Sequence, residues 1–310
     1  MEKIPYFDAH CDTLCRCRYQ NQHLRGDTCK VSLDHAGTFS QFAQFFAIFY
    51  NTDQPRPHSC LEETSQIHAL YLRELDACSD LAVHCDGRAA VEATNAAGKA
   101  AAMLSIEDSA LLECDPAQLE LAAGWGVQAI GLTWNHRNLV SGSCWEDPEQ
   151  GLTDRGRAFV QEAQRLRILM DVSHLSPKGF WDLAEMTEQP IVATHSNAMA
   201  LCPHARNLTD DQFRAIAQSG GVAGLNVYQD FLGGEGGIPT MIAHLEHFLD
   251  LGGEDAVGLG TDFDGCDPVC RGLDNIQSMP RLWEALKDRG YGDGLLRKLF
   301  WGNWLRVIRP

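Results

Sequence analysis

The sequence predicts an α/β chain of the (β/α)8 TIM-barrel class, with residues 1–310 forming a single domain. Three observations carry that expectation. Short apolar runs rich in β-branched and aromatic residues recur eight times, and the stretches between them have the periodicity and caps of helices. Side chains able to bind a cation stand at the C-terminal ends of those runs, where a barrel gathers its functional groups. Strand alternating with helix implies parallel strands joined by right-handed crossovers.

In order, the runs are "YFDAH" near 6–10, "QFFAIFY" at 44–50, "AAMLSI" at 101–106 and "VQAIGLTW" at 127–134. "RILMDVS" at 167–173, "PIVATH" at 190–195, "GVAGLN" at 221–226 and "AVGLGTD" at 256–262 follow. In the helical stretch "CLEETSQIHALYLRELDAC", Ile67, Leu70, Tyr71, Leu75 and Cys78 fall at three- and four-residue steps and mark one apolar stripe. "LTDRGRAFVQEAQRLR" and "LTDDQFRAIAQSGG" each open on a capping threonine, Thr153 and Thr209, and the second closes on Gly220 and Gly221. A doubly wound sheet would want a G-x-G-x-x-G turn after the first strand, and none is there. Residues 14–40 and 135–152 break the alternation; long loops in a barrel lie over the active-site face. No repeat, low-complexity tract or linker divides the chain.

A formal charge of −17 argues against a nucleic-acid partner, which would call for a basic surface. No apolar stretch approaches the roughly 20 residues of a membrane span. Met1–Pro5 leads straight into the first run with no basic, then apolar, leader, so a soluble cytoplasmic protein is expected. Twelve cysteines in a chain of this length read as reduced packing residues rather than a disulfide framework, and no CxxC spacing suggests a zinc–thiolate site. No sequence motif decides between a monomer and a homodimer.

His10 and Asp12 close the first run, Glu107 the third, His174 the fifth, His195 the sixth and Asp262 the eighth. In an extended segment residues i and i+2 face the same way, so His10 and Asp12 emerge side by side. Singly, each has an ordinary structural reading, as a hydrogen-bonded histidine or a helix cap. Three imidazoles and three carboxylates converging on one barrel mouth would repel or stay unsatisfied without a cation. The set exceeds the ligands of a single tetrahedral zinc, so two ions sharing a carboxylate fit better, with Glu107, from the middle of the strand order, as the natural bridge.

"FDAHCDTL", "SIED", "GLTWNHRN", "DVSHLS", "ATHSNAMALCPHARNLTDDQ" and "GLGTDFDG" together resemble the membrane (renal) dipeptidase family, binuclear zinc peptidases of the amidohydrolase superfamily. The likeness runs from residue 5 to "GNWLRV" near 302–307. It implies two Zn2+ per chain, one on His10 and Asp12 and the other on His174 and His195, bridged by Glu107 and a water or hydroxide. It further implies that His136 binds substrate and steadies the tetrahedral intermediate, that Arg206 holds the terminal carboxylate of a dipeptide, and that Asp262 shuttles the proton. Tolerance of a D-configured C-terminal residue follows from the same likeness. One departure stands out: many relatives have glycine after the bridging glutamate, where this chain has Asp108, followed by Ser109.

The chemistry of these residues suits such roles. A guanidinium is a planar fork matched to a carboxylate, and a carboxylate beside the metals can take a proton from water and pass it to a leaving amine. The expected activity is therefore dipeptide hydrolysis by a metallo-dipeptidase. A metal-dependent amidohydrolase acting on N-acyl-amino acids, lactams or lactones is the alternative. A metal-stabilised binding protein has little use for a free carboxylate at Asp262.

Overall fold

In the computed structural model, which describes residues 3–54 and 57–310, the eight runs form the eight staves of a closed parallel barrel. β1 is Pro5–Cys11, β2 Gln41–Ile48 and β3 Ala82–His84, followed by β4 Ala100–Ile106, β5 Val127–Gly131 and β6 Leu169–Asp171. β7 is Ile191–Ala193, β8 Val222–Leu225 and β9 Val257–Leu259. Pairing runs β1–β2–β4–β5–β6–β7–β8–β9 and closes where Asp8 of β1 meets Leu259 of β9. The sequence reading has no counterpart for β3, which pairs with Ala100–Ala102 along the edge of β4 that β5 takes over from Leu104 onward.

Side chains alternate across the staves as strand geometry requires. Phe7, Phe45, Met103, Ala129, Val192 and Val222 point inward and are fully buried. Tyr6, Phe46, Leu104, Ile130 and Ala223 join the outer cluster beneath the helices.

Those helices are α1 Thr13–Gln20, α2 Cys60–Ala77, α3 Arg88–Ala96, α4 Leu119–Gly124, α5 Asp154–Arg165 and α6 Pro177–Met186. α7 Asp210–Gln218, α8 Gln229–Leu232, α9 Ile238–Asp250, α10 Pro280–Asp288, α11 Asp293–Arg297 and α12 Asn303–Val307 complete the set. Their starts are chemically marked. Ser59 and Glu62 form a reciprocal capping box on α2, Thr209 and Gln212 another on α7, and Thr153 Oγ1 accepts from Gly156 N at 3.0 Å on α5.

The last turns of the chain close one mouth of the barrel. Arg306 donates to Gly220 O and Asp255 O, just ahead of β8 and β9, and Arg309 donates to Val127 O at the start of β5. Trp301 and Trp304 pack into the interior at a tilt against Phe7, and Trp304 Nε1 donates to Leu259 O at 2.9 Å. Gly258 makes room for that indole: a Cβ there would lie 2.3 Å from Trp304 Nε1. With the N-terminal mouth filled, the mouth at which the strands end is left to carry the site.

Candidate metal centre

All six residues expected at the metals reach that mouth, and none is more than 9% exposed. His10 is within β1, Asp12 sits at the start of α1, and Glu107 follows β4 directly. His174, His195 and Asp262 lie in the turns after β6, β7 and β9. His174 and Asp262 have φ of +69° and +62°, a region that costs a non-glycine residue energy and is held here by the packing around the site.

Glu107 divides the cluster in two. Its Oε2 lies 3.4 Å from His10 Nε2, while its Oε1 lies 2.9 Å from His174 Nε2 and 3.6 Å from His195 Nε2. On the His10 side, Asp12 Oδ2 is 3.7 Å and Asp262 Oδ1 3.9 Å from the same Nε2. Each oxygen of one carboxylate thus has a different nearest imidazole, while His10 and His195 also approach each other, with ring centroids 3.9 Å apart.

The donor chemistry fits cations. His10 Nε2 is buried with no hydrogen-bond partner. His174 and His195 point their Nε2 atoms at each other 3.1 Å apart. His174 Nδ1 faces Asn135 Oδ1 at 2.9 Å; the amide oxygen only accepts, so Nδ1 carries the proton and Nε2 is a bare lone pair. His195 Nδ1 lies 2.8 Å from Thr194 Oγ1, whose own hydrogen goes to Asp171, so the same tautomer follows. Two opposed lone pairs in a buried site repel unless a cation lies between them.

Two aspartates clasp neighbouring staves beneath these side chains. Asp8 accepts from Tyr6 Oη (2.9 Å), His10 N (3.3 Å), Thr261 N (2.9 Å) and Thr261 Oγ1 (2.6 Å), tying β1 to the turn that holds Asp262. Asp171 repeats the device between β6 and β7: Oδ1 accepts from Ser173 N and Thr194 N at 2.9 Å each, and Oδ2 from Thr194 Oγ1. In both, the threonine immediately precedes a site residue. Such supports fix ligand direction and tautomer.

Charge states follow from burial and neighbours. Burial, then the cation at Arg206, pulls His174 down to about 4. His195 is held well below its ordinary range by burial and by His10. Both rings are therefore neutral at pH 7, the form in which an imidazole can take a cation. Burial raises the Glu107 carboxyl, but His10 and His174 outweigh it and hold it below the usual range. Burial, with Asp12 and Glu107 close by, pushes Asp262 up to about 8.

A sequence profile of the membrane dipeptidase family, Peptidase family M19, matches residues 1–310. The chain belongs to that family. As an M19 member it is a metallo-dipeptidase, a hydrolase acting on peptide bonds. Among solved structures, a metallo peptidase from Rhodobacter sphaeroides, liganded with a phosphinate mimic of the dipeptide L-Ala-D-Ala, superposes with a TM-score of 0.90 at 31% identity, covering 99% of both chains. The dipeptidase AC, a metallo peptidase of family M19, gives 0.90 at 33% identity, covering 99% of this chain and 98% of that one. Dipeptidase aclJ of Aspergillus oryzae is 27% identical over 334 residues, 99% of this chain and 78% of its own. Despite the family's name, no helix among the described residues is long and apolar enough to cross a membrane.

Above this cluster of side chains opens a pocket of about 430 Å³ lined by Phe49, Trp134, Trp145, Arg206, Tyr228 and Phe231, among others. Arg206 is 3% exposed. Its Nη1 and Nη2 reach Ser196 Oγ (3.4 Å) and His195 O (3.3 Å), its Nε has no partner, and the guanidinium stands 5.4 Å from the Phe231 ring. Among the described residues it has no carboxylate partner within 4.0 Å, which leaves its charge for a ligand.

His136 is not brought into this pocket. Its ring is half exposed on the rim, with Nε2 2.8 Å from Asp53 Oδ2 and Nδ1 3.3 Å from Glu146 Oε2. From the same "WNHRN" stretch it is Trp134 and Asn135 that turn inward. Asp108 departs from the glycine of many relatives yet takes the conformation a glycine would, with φ +94°, and its carboxylate accepts from Ala110 N and Asn138 Nδ2 at 2.8 Å each. The aromatic wall and the clasp at Asp8 are additions to the sequence reading; an aspartate inside an otherwise apolar run was the available signal for Asp8.

Proposed function

We propose that this dipeptidase works with two zinc ions, one held by His10 and Asp12, the other by His174 and His195, with Glu107 between them. The observation that carries this is the split of Glu107, whose two oxygens face the two donor sets at 3.4 Å and 2.9 Å. When bound, such a pair supplies Lewis acidity to the scissile carbonyl and a water acidic enough to react at neutral pH. The remaining work falls to side chains. Arg206 holds the substrate's terminal carboxylate through its fork, which fixes the register of a two-residue substrate and excludes longer ones. The ionised form of Asp262, which cations held at the cluster would favour, takes the proton of the attacking water at Oδ1 and returns it to the departing amine; Asn226 Nδ2, donating to Oδ2 at 3.0 Å, keeps Oδ1 turned toward the cluster. His136 assists the developing oxyanion once its ring leaves Asp53 and Glu146.

An L-configured or D-configured C-terminal residue suits a clamp that reads only the carboxylate, and the R. sphaeroides relative accepts a mimic of L-Ala-D-Ala. Twelve unpaired thiols support a reducing, cytoplasmic setting. Metal content per chain, measured together with ninhydrin-detected release of amino acids from L-Ala-L-Ala and L-Ala-D-Ala, tests the reading. Two zinc ions and chelator-sensitive cleavage of both are expected. Cleavage that survives complete metal removal would overturn the metal mechanism, and cleavage of L-Ala-L-Ala alone would reject the D-tolerance.

A further inference from the structure

We infer that the pocket carries a subsite for a positively charged side chain on the C-terminal residue of the dipeptide, with Asp230 as its specificity-determining residue. The inference rests on the dipeptidase reading and extends it to a substrate class. The pocket is lined by the carboxylates of Asp12, Glu107, Asp230, Asp262 and Asp267. Asp12, Glu107 and Asp262 belong to the metal cluster. Asp267 is already neutralised by Lys30 Nζ at 3.0 Å, with Arg16 Nη2 at 3.7 Å. Asp230 differs: its carboxylate accepts a hydrogen bond from Tyr228 Oη at 2.8 Å, and among the described residues no lysine, arginine or histidine pairs with it. It is exposed to the pocket rather than folded away.

Placement says which part of the substrate would meet it. The buried guanidinium of Arg206, with Nε unpartnered, marks the carboxyl end. Phe231 packs 5.4 Å from that guanidinium, and Tyr228, which reaches Asp230, packs edge-on to Phe231 at 4.8 Å. His204 and Trp145 continue the wall, at 4.6 Å from Phe231 and 5.1 Å from His204 respectively. A side chain leaving the residue clamped by Arg206 therefore runs along an aromatic surface toward one uncompensated carboxylate. Lysine and arginine match both features, since their methylene stems pack on apolar surface while the charged head pairs with Asp230 and the ring faces.

The test is a ratio within one enzyme preparation: kcat/KM for Ala-Lys over that for Ala-Gln, with the second residue in L and in D form, for the wild type, Asp230→Asn and Asp230→Lys. For the wild type the expected ratio is about tenfold in at least one configuration, the scale of one exposed charge-assisted contact, expressed mainly in KM and shrinking with added salt. Asp230→Asn should bring the ratio to about one. Asp230→Lys should turn preference toward Ala-Glu. A purely structural role, holding Tyr228, would depress both substrates together and leave the ratio standing, which overturns the proposal. So does a wild-type ratio near one with Ala-Gln well cleaved, an outcome that leaves the dipeptidase reading intact. Failure to cleave any dipeptide would overturn both.

Discussion

Replacing Asp171 with asparagine should weaken one metal position and spare the other, because the change reverses the proton order beneath His195. In the wild type, Oδ1 of Asp171 serves two amides at 2.9 Å, and Oδ2 receives the hydroxyl hydrogen of Thr194. Asparagine keeps the first arrangement with its carbonyl oxygen but presents an NH2 group to Thr194 Oγ1. Of the two acceptors that remain to the hydroxyl hydrogen, His195 Nδ1 at 2.8 Å is much nearer than Ser173 Oγ at 3.5 Å and takes it. Accepting there moves the ring proton to Nε2, the atom that faces Glu107 and His174, and a protonated Nε2 is no ligand. Outer supports of this kind are worth about 10–100-fold in metal affinity, or about 1.4–2.7 kcal/mol. Loss of the charge-assisted hydroxyl contact costs a further ~1.5–3 kcal/mol of fold stability. The assay is competition with a chromophoric chelator at neutral pH, which resolves the two binding steps, with urea unfolding alongside. Thr194→Val should reproduce the weakened step, and Asp8→Asn should weaken the other one. Wild-type affinity at both steps in Asp171→Asn would refute the tautomer argument.

Four further outcomes are expected. Asp262→Asn should lower kcat by about 10²–10⁴-fold while metal content holds, and loss of metal instead would make Asp262 a ligand rather than a proton carrier. Arg206→Met should cost about 100-fold in kcat/KM on a dipeptide but little on the corresponding dipeptide amide, where no terminal carboxylate exists; an equal loss on both would remove the clamp. His136→Ala should cut kcat by about 100-fold if the ring swings in from the rim, and unchanged turnover would leave oxyanion stabilisation to other groups. Gly258→Ala places a methyl 2.3 Å from Trp304 Nε1 and should lower stability by ~1–3 kcal/mol, read as an earlier urea midpoint; an unchanged midpoint would mean that the plug helix shifts freely.

What could be read from the sequence follows from how local each signal is. The eight staves announce themselves because each is a short apolar run bounded by caps and turns, and the candidate metal residues because each ends such a run. β3 escapes that logic: it is three residues long, its Val83 is exposed, and it exists because β4 offers a free edge ahead of β5. "WNHRN" could be placed on a loop over the site, but which of its side chains faces inward is set by the turn of that loop, which sends Asn135 to His174 and His136 to Asp53. Asp108 shows the same limit in reverse. As an acidic residue beside Glu107 it signals an altered loop, yet its φ of +94° is one that glycine adopts freely, and its carboxylate accepts from Ala110 N and Asn138 Nδ2.

The closure between β1 and β9 has a consequence for the whole molecule. The two strands share one register pair, Asp8 with Leu259; beyond it Cys11 bridges Phe263, and the backbone bonds Asp262 N to His10 O and Asp12 N to Phe263 O lie at the level of the candidate ligands. A cation gripped by His10 and Asp12 beside Asp262 would act as a rivet through the last joint of a hoop, fastening segments some 250 residues apart in the chain. Loading stabilises only the closed hoop, by ~2.7 kcal/mol for each ion present at a hundred times its dissociation constant. Starved of metal, the protein would part first along this joint, so its resistance to proteolysis should track metal supply as closely as its catalysis does.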